Sequence, residues 1–148
     1  MSELRNKALK LLNGREHSRA ELRRKLISRV ETSDSEVDAL LDELEGRNWL
    51  SDARFAAAYV SAHAARFGKL RIQHDLRERG VADALIETAL AAMNEEDDEL
   101  SRARNVWQKK FTALPQDARE RGRQIRFLQA RGFGFDVIRR VLGGLGDD

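Results

Sequence analysis

Arginine and lysine recur in three stretches of the chain at a spacing that gives a short helix a run of cations. Arg19, Arg23, Arg24, Lys25 and Arg29 occupy the first stretch, and Lys69, Arg71, Arg77 and Arg79 the second. Arg119, Arg121, Arg123, Arg126 and Arg131 occupy the third, with Arg139 and Arg140 following. In each stretch a few apolar residues fix the buried side: Leu22 and Leu26, Ile72 and Leu76, Ile125 and Leu128. Most of the guanidinium groups are therefore expected to face solvent, where the planar fork of arginine suits bidentate contact with phosphate or carboxylate. Solubility is a sufficient account of any single arginine, but the recurrence on the same helix of each unit favours a binding surface. Two partners fit such a surface, a nucleic-acid backbone or an acidic protein. A phosphate track is expected to carry a larger net positive charge and, for single strands, stacking aromatics. Trp49, Tyr59 and Trp107 fall instead at helix-core or helix-end positions, so a protein partner, or a protein already bound to DNA, is favoured. A helix-turn-helix-like protein that binds DNA directly is the alternative, although base-reading Asn and Gln are sparse on the basic stretches.

Other residue types offer less chemistry. His17, His63 and His74 fall on separate elements at no metal-ligand spacing and read as structural histidines. The run Glu95, Glu96, Asp97, Asp98, Glu99 lacks the alternating ligands and central glycine of a calcium loop and reads as a helix start. Gly143, Gly144 and Gly146 have no strand before them and no helix after, unlike a phosphate-cradling loop. The chain has no cysteine, which excludes disulfides, thiolate metal sites and cysteine nucleophiles. Neither catalysis nor a cofactor is expected.

Composition points the same way. The chain has 148 residues, enough to form a core without staples, and 35% of them are charged while only 6% are aromatic. The 27 basic and 25 acidic residues give a net charge of +2, but their balance runs from even in residues 1–50, through acidic in 51–100, to strongly basic in 101–148. No apolar run approaches the length of a membrane span, and the charged start MSELRNKALKLL lacks a signal-peptide stretch, so a cytoplasmic location away from membranes is expected.

The basic stretches must be positioned by helices, and the spacing predicts three sets of three. Residues 3–13 carry Ala8, Leu9, Leu11 and Leu12 and stop near Asn13-Gly14. Ser18 with Glu21 forms a capping box for the basic helix that follows. Val37, Leu40, Leu41 and Leu44 then mark an amphipathic helix capped by Ser33 or Ser35, with Gly46 as its left-handed stop. The pattern recurs with Ser51-Asp52 as a cap, Phe55, Ala56, Tyr59 and Ala62 on one face, Gly68 as the stop, a basic helix ended by Gly80, and VADALIETALAAM. A third copy has Val106, Trp107 and Phe111, then ARERGRQIRFLQARG, then FDVIRRVLGG. Superposing Gly80 on Gly132 aligns Leu76 with Leu128, Arg79 with Arg131 and Ile86 with Ile138. Each unit offers only a few apolar positions per helix, so one unit alone is expected to have a marginal core. The expectation is an all-α chain of three tandem three-helix repeats, residues 1–50, 51–94 and 95–148, stacked into an elongated, curved solenoid-like molecule. A compact nine-helix bundle is the plainer alternative.

The segments ALKLLNGREHSRAELRRKL (8–26), LSDARFAAAYV (50–60), RIQHDLRERGV (71–81) and FLQARGFGFDVIRRVL (127–142) resemble, in order and over nearly the whole chain, the RecX regulatory proteins of bacteria. One departure is Phe67-Gly68-Lys69, where many relatives have a more glycine-rich turn. The resemblance implies a modulator of the RecA recombinase, without catalytic activity, that binds RecA and its single-stranded-DNA filament and inhibits filament growth, ATP hydrolysis and strand exchange. It implies a monomer with weak direct DNA binding as a further expectation. Carried over by motif, the contact residues are Arg15, Arg19, Arg23, Arg24, Lys25, Lys69, Arg71, Arg77, Arg79, Arg123, Arg126 and Arg131.

Overall fold

The computed structural model of the chain describes residues 2–96 and 99–143, with the backbone alone at 94–96. The described residues form nine helices and no strand: α1 Glu3–Gly14, α2 Arg19–Arg29, α3 Asp34–Gly46, α4 Asp52–His63, α5 Lys69–Glu78, α6 Asp83–Glu96, α7 Glu99–Lys110, α8 Ala118–Ala130 and α9 Phe135–Val141. The three basic stretches are α2, α5 and α8, the middle helix of each successive triplet.

Local signals set the helix starts. Ser18 Oγ accepts from the Glu21 N–H while the Glu21 carboxylate accepts from the Ser18 N–H, and Ser33 does the same with Glu36. Ser51 Oγ accepts from the Arg54 N–H and Asp117 from the Glu120 N–H. Caps of this kind contribute about 1 kcal/mol each. Two expected stops are placed differently. Gly46 is the last helical residue of α3, and the left-handed residue is Asn48, at φ 61°, where a short polar side chain tolerates that conformation. Gly68 does not end α4, which stops at His63; it is a buried residue one step before α5. Of the acidic run, Asp97 and Asp98 and the side chains of Glu95 and Glu96 lie outside the described residues, as do Gly144 and Gly146.

The chain divides into two compact units. Unit 1 comprises Met1–Ala58 with Leu76–Ile86, and unit 2 comprises Tyr59–Asp75 with Glu87–Asp148. The division runs through α4, α5 and α6, so the middle triplet gives residues to both units. The core of unit 1 is Ala8, Leu22, Leu26, Val37, Leu40, Leu41, Leu44 and Leu50, edged by Leu4, Leu9, Leu11 and Leu12. A leucine fully buried in this way contributes about 1.5–3 kcal/mol. In unit 2, Leu100, Ala103, Val106, Leu128, Phe133, Ile138, Val141 and Leu142 form a core edged by Trp107, Ile125, Phe127 and Val137.

Each unit also contains a joint between basic helices. In unit 1 the buried Ser18, which caps α2, donates its hydroxyl to the carbonyl of Arg79 at 2.7 Å, just past the end of α5. In unit 2 the Gly68 N–H, just before α5, donates to the carbonyl of Arg131 at 2.7 Å, just past the end of α8, and the Leu70 N–H donates to Gly132 O at 3.1 Å. The alignment of Gly80 with Gly132 is carried by the backbone. Both have positive φ, 82° and 92°, and each is followed by a residue whose N–H reaches back to the helix, Val81 to Leu76 O and Phe133 to Leu128 O. Both glycines closely face the first turn of the preceding basic helix, Gly80 at Ala20 of α2 and Gly132 at Arg71 of α5.

Candidate protein and nucleic-acid interface

The expected contact residues of unit 1 are mostly tied to acids of the same unit. Arg15, after α1, makes a two-pronged contact with Glu21, at 3.1 and 2.9 Å. Arg19 and Arg23 lie four residues apart on α2 and reach carboxylates of α3: Arg19 holds Asp42 at 2.8 Å and Glu45 at 2.6 Å, and Arg23 holds Asp38 at 2.8 Å with Asp34 at 3.7 Å. The Arg23 guanidinium keeps the Asp38 carboxyl below the usual range. Burial works to raise the Glu21 carboxyl, but the Arg15 contact and the Ser18 N–H outweigh it and hold it low. Arg77, on the turn of α5 that belongs to unit 1, pairs with Asp83 at 2.9 Å. Arg79 lies at the joint with Ser18.

Lys25 takes part in a different arrangement. His17 is 2% exposed, and its Nδ1–H donates to the carbonyl of Arg15 at 3.0 Å. Its Nε2 is therefore an acceptor, and the Lys25 ammonium donates to it at 2.9 Å. Burial, with the cations Arg15 and Lys25 nearby, pushes the His17 imidazolium below its ordinary pKa, and burial likewise lowers Lys25. His17 is structural, as its isolation in sequence implied. Of the unit 1 candidates, Arg24 alone is exposed with no ion-pair or hydrogen-bond partner among the described residues.

Unit 2 handles its cations differently. Arg71 lies 4.2 Å from the ring centroid of Phe67, with Asp75 at 3.4 Å, and donates to Ala130 O at 3.1 Å. Arg131 lies 6.0 Å from the same ring and 4.9 Å from that of Phe127. Arg123 chelates Glu120 with two nitrogens, both at 3.0 Å, and stands 4.9 Å from Phe111. Lys69 and Arg126 have no carboxylate partner among the described residues. Sequence reasoning missed Arg66 and Lys110, which lie 5.5 Å from Phe67 and 5.7 Å from Phe127. It also missed the ring series in which Tyr59 stacks on His63 at 3.9 Å, His63 on Phe67 at 5.8 Å, and Phe111 meets Phe127 edge-on at 5.3 Å. The available signal was a four-residue spacing: Tyr59, His63, Phe67 and Arg71 in one series, Arg123, Phe127 and Arg131 in the other.

Trp107 packs as expected, donating its indole N–H to the buried Gln124 at 2.7 Å, whereas Trp49 is 43% exposed beside Arg47. Among the described residues no cluster of three His, Asp or Glu side chains is placed to hold a metal ion, and no helix is long and apolar enough to cross a membrane.

These features define a helical-repeat protein of three tandem three-helix domains, each with an arginine-rich middle helix. Family comparison gives the same division: the first three-helix domain of RecX matches residues 5–44, the second 51–90 and the third 96–142. A protein from Chromobacterium violaceum named Regulatory protein RecX is 46% identical over 145 residues, covering 98% of this chain and 92% of its own. Its counterpart from Ralstonia nicotianae is 44% identical over 141 residues, covering 95% and 87%. The crystal structure of RecX from Lactobacillus salivarius superposes with a TM-score of 0.78 over 99% of this chain and 96% of its own, at 19% identity, and so shares the fold. The chain belongs to the RecX family of regulatory proteins.

Proposed function

We propose that this protein is a negative regulator of the RecA recombinase. It binds RecA and its filament on single-stranded DNA and restrains filament extension, ATP hydrolysis and strand exchange, and thereby modulates recombination, DNA repair and the SOS response. It acts as a cytoplasmic monomer and performs no chemistry of its own. The observation that carries the reading is the recurrence of an arginine-rich middle helix in all three domains of a RecX-family chain. Taking residues 1–50, 51–94 and 95–148 as the repeats, each unit of the series offers one basic helix to a polymer whose subunits also repeat. Weak contacts made in series reinforce one another through effective concentration.

The test is to add the purified protein to RecA, single-stranded DNA and ATP, and to follow ATP hydrolysis and filament length together. Both are expected to fall with added protein. Unchanged hydrolysis and unchanged length at saturating protein would overturn the reading.

A further inference from the structure

A lysine is a nucleophile only as the free amine, and a protein releases that amine by burial, by nearby cations or by an acceptor for its proton. All three meet at Lys25 in unit 1. Lys25 is half-buried near the middle of α2, and its Nζ donates to His17 Nε2 at 2.9 Å. The imidazole is fixed in place, because His17 is 2% exposed and its Nδ1–H is committed to the carbonyl of Arg15 at 3.0 Å. The charged groups facing Lys25 are Arg15 and Glu21, which close on each other in a two-pronged pair, and Arg29 one turn further along α2. Burial acts first and Arg15 and Arg29 add to it, which brings the Lys25 ammonium below its ordinary pKa against the pull of Glu21.

Once Lys25 has lost a proton, the amine keeps its N–H bond to Nε2 and its lone pair is turned away from the ring. Arg29 is exposed and has no carboxylate partner among the described residues. Residues four apart on a helix are neighbours, so a guanidinium with its charge uncancelled stands beside the amine and can hold an anion there. The electrophile and the anion must then lie close together in one small molecule. In an acyl phosphate the carbonyl carbon is separated from the phosphate by a single oxygen, whereas a thioester with its charge far from the carbonyl does not match the pair.

We propose that Lys25 is a site of acylation by acyl phosphates, with His17 accepting the amine proton and Arg29 holding the phosphate. The Lys25 ammonium passes one proton to His17 Nε2, and the amine nitrogen attacks the acyl carbon to form the C–N bond. The C–O bond to phosphate breaks with its electron pair staying on the phosphate, which takes the second amine proton, and His17 returns its own proton to water. The resulting amide still has an N–H for His17 but no charge, so α2 loses one of its cations. The inference goes beyond the recombinase reading because it concerns the free chain and a small acyl donor.

The test is to incubate the full chain with acetyl phosphate across a pH series and to follow each lysine by peptide mass mapping at early times. Lys10 is the internal reference, exposed and without a partner among the described residues. Near neutral pH, Lys25 should acetylate on the order of tenfold faster than Lys10, and its rate should level off at a lower pH. Exposure alone gives the opposite order, so a Lys25 rate at or below that of Lys10 throughout the series would overturn the proposal. Arg29→Gln should slow Lys25 labelling about threefold or more with acetyl phosphate but leave it within about twofold with an uncharged acetyl ester, which has no anion to hold. Equal slowing with both donors would overturn the role given to Arg29, as would no slowing with either. His17→Gln leaves a group that accepts a hydrogen bond but not a proton, and should bring Lys25 down towards the Lys10 rate. If circular dichroism shows that this buried change costs helicity, the wild-type order and the Arg29→Gln comparison decide alone. No recombinase enters the assay, so its outcome and that of the inhibition test are independent.

Discussion

Helices α2 and α8 look alike in sequence, short and crowded with arginine, yet their arginines do different work. Opposite α2 lies α3, whose thirteen residues carry six carboxylates, and Arg19 and Arg23 are spent on four of them. The third helix of the last triplet, α9, carries Asp136 as its one acid and adds Arg139 and Arg140. The cations of α8 and its surroundings settle against Phe67, Phe111 and Phe127, and of these Arg123 also chelates Glu120 within α8. A neutralised arginine ties two helices together, whereas one held on a ring remains available to a partner. Counting arginines measures the supply of charge; the neighbouring helix decides where it is used.

The joints differ in the same two regions, and breaking them should give the largest effect. Gly132 has φ 92°, and a Cβ there would lie 2.4 Å from the Arg71 backbone nitrogen and 2.2 Å from its Cβ. The left-handed conformation alone costs a side chain about 1–2 kcal/mol, and the atoms that would have to shift are the backbone and Cβ of Arg71 rather than the end of a flexible side chain. Gly132→Ala is therefore expected to lose more than about 2 kcal/mol in urea unfolding. Gly80→Ala pays the same conformational cost at φ 82°, but its Cβ meets the Ala20 side chain at 2.5 Å and no backbone atom closer than 3.9 Å, so its loss should be smaller. A Gly80→Ala loss equal to or above that of Gly132→Ala would show the two joints to be equally tight.

Acid should separate the units next. In unit 1 the carboxyls of Glu21, Glu36, Asp38 and Glu43 are held below their ordinary values, by Arg15, the Ser33 N–H, Arg23 and Arg5 respectively, against burial in the case of Glu21. In unit 2 the corresponding case among the described residues is Glu120, held low by Arg123. A carboxyl depressed on folding contributes stability above its unfolded pKa and loses it as pH falls through the folded value. His17 works in the same direction. Its folded pKa lies below the ordinary 6.5, so the unfolded chain takes up a proton that the folded chain refuses, and stability falls as pH drops below 6.5. Amide exchange should show unit 1 opening first, beginning below pH 6.5 and steepening below the ordinary glutamate value of 4.5. Equal acid sensitivity in both units would remove the electrostatic contrast.

The fold was largely legible because its determinants are local. The Ser18–Glu21 capping box, the Val37, Leu40, Leu41, Leu44 stripe and the paired glycines Gly80 and Gly132 depend on residues a few positions apart. The left-handed role of Asn48 was hidden behind Gly46, the residue with the stronger intrinsic preference, because the chain after α3 winds back so that Trp49 and Leu50 both donate to Leu44 O. Gly68 was misread for a similar reason. Its closeness to Gly132 and Phe133 joins positions some sixty residues apart, and no local pattern encodes that contact. The candidate site was legible as an inventory of arginines. Which were neutralised was not, because Arg19 meets Asp42 and Glu45, and Arg131 meets Phe67, only after the helices have packed.

The smallest effect is also the one that bears most directly on the contrast between the two basic helices. Arg19 is held by two carboxylates, but its side chain keeps 27% exposure and Asp42 keeps 73%, so solvent and salt reach the pair. Arg19→Gln should cost about 1 kcal/mol or less at low salt. The cost should fade towards zero near 1 M salt, where the screening length falls to about 3 Å. Arg131→Gln loses contacts with rings rather than with ions, which salt screens far less, so its cost of about 0.5–1 kcal/mol should persist across the same series. Denaturant midpoints measured for both variants at low and high salt separate the cases. If the Arg19 cost survives at high salt, its aliphatic stem and not its charge joins α2 to α3, and the arginines of the two helices then differ in their neighbours alone and not in the force that holds them.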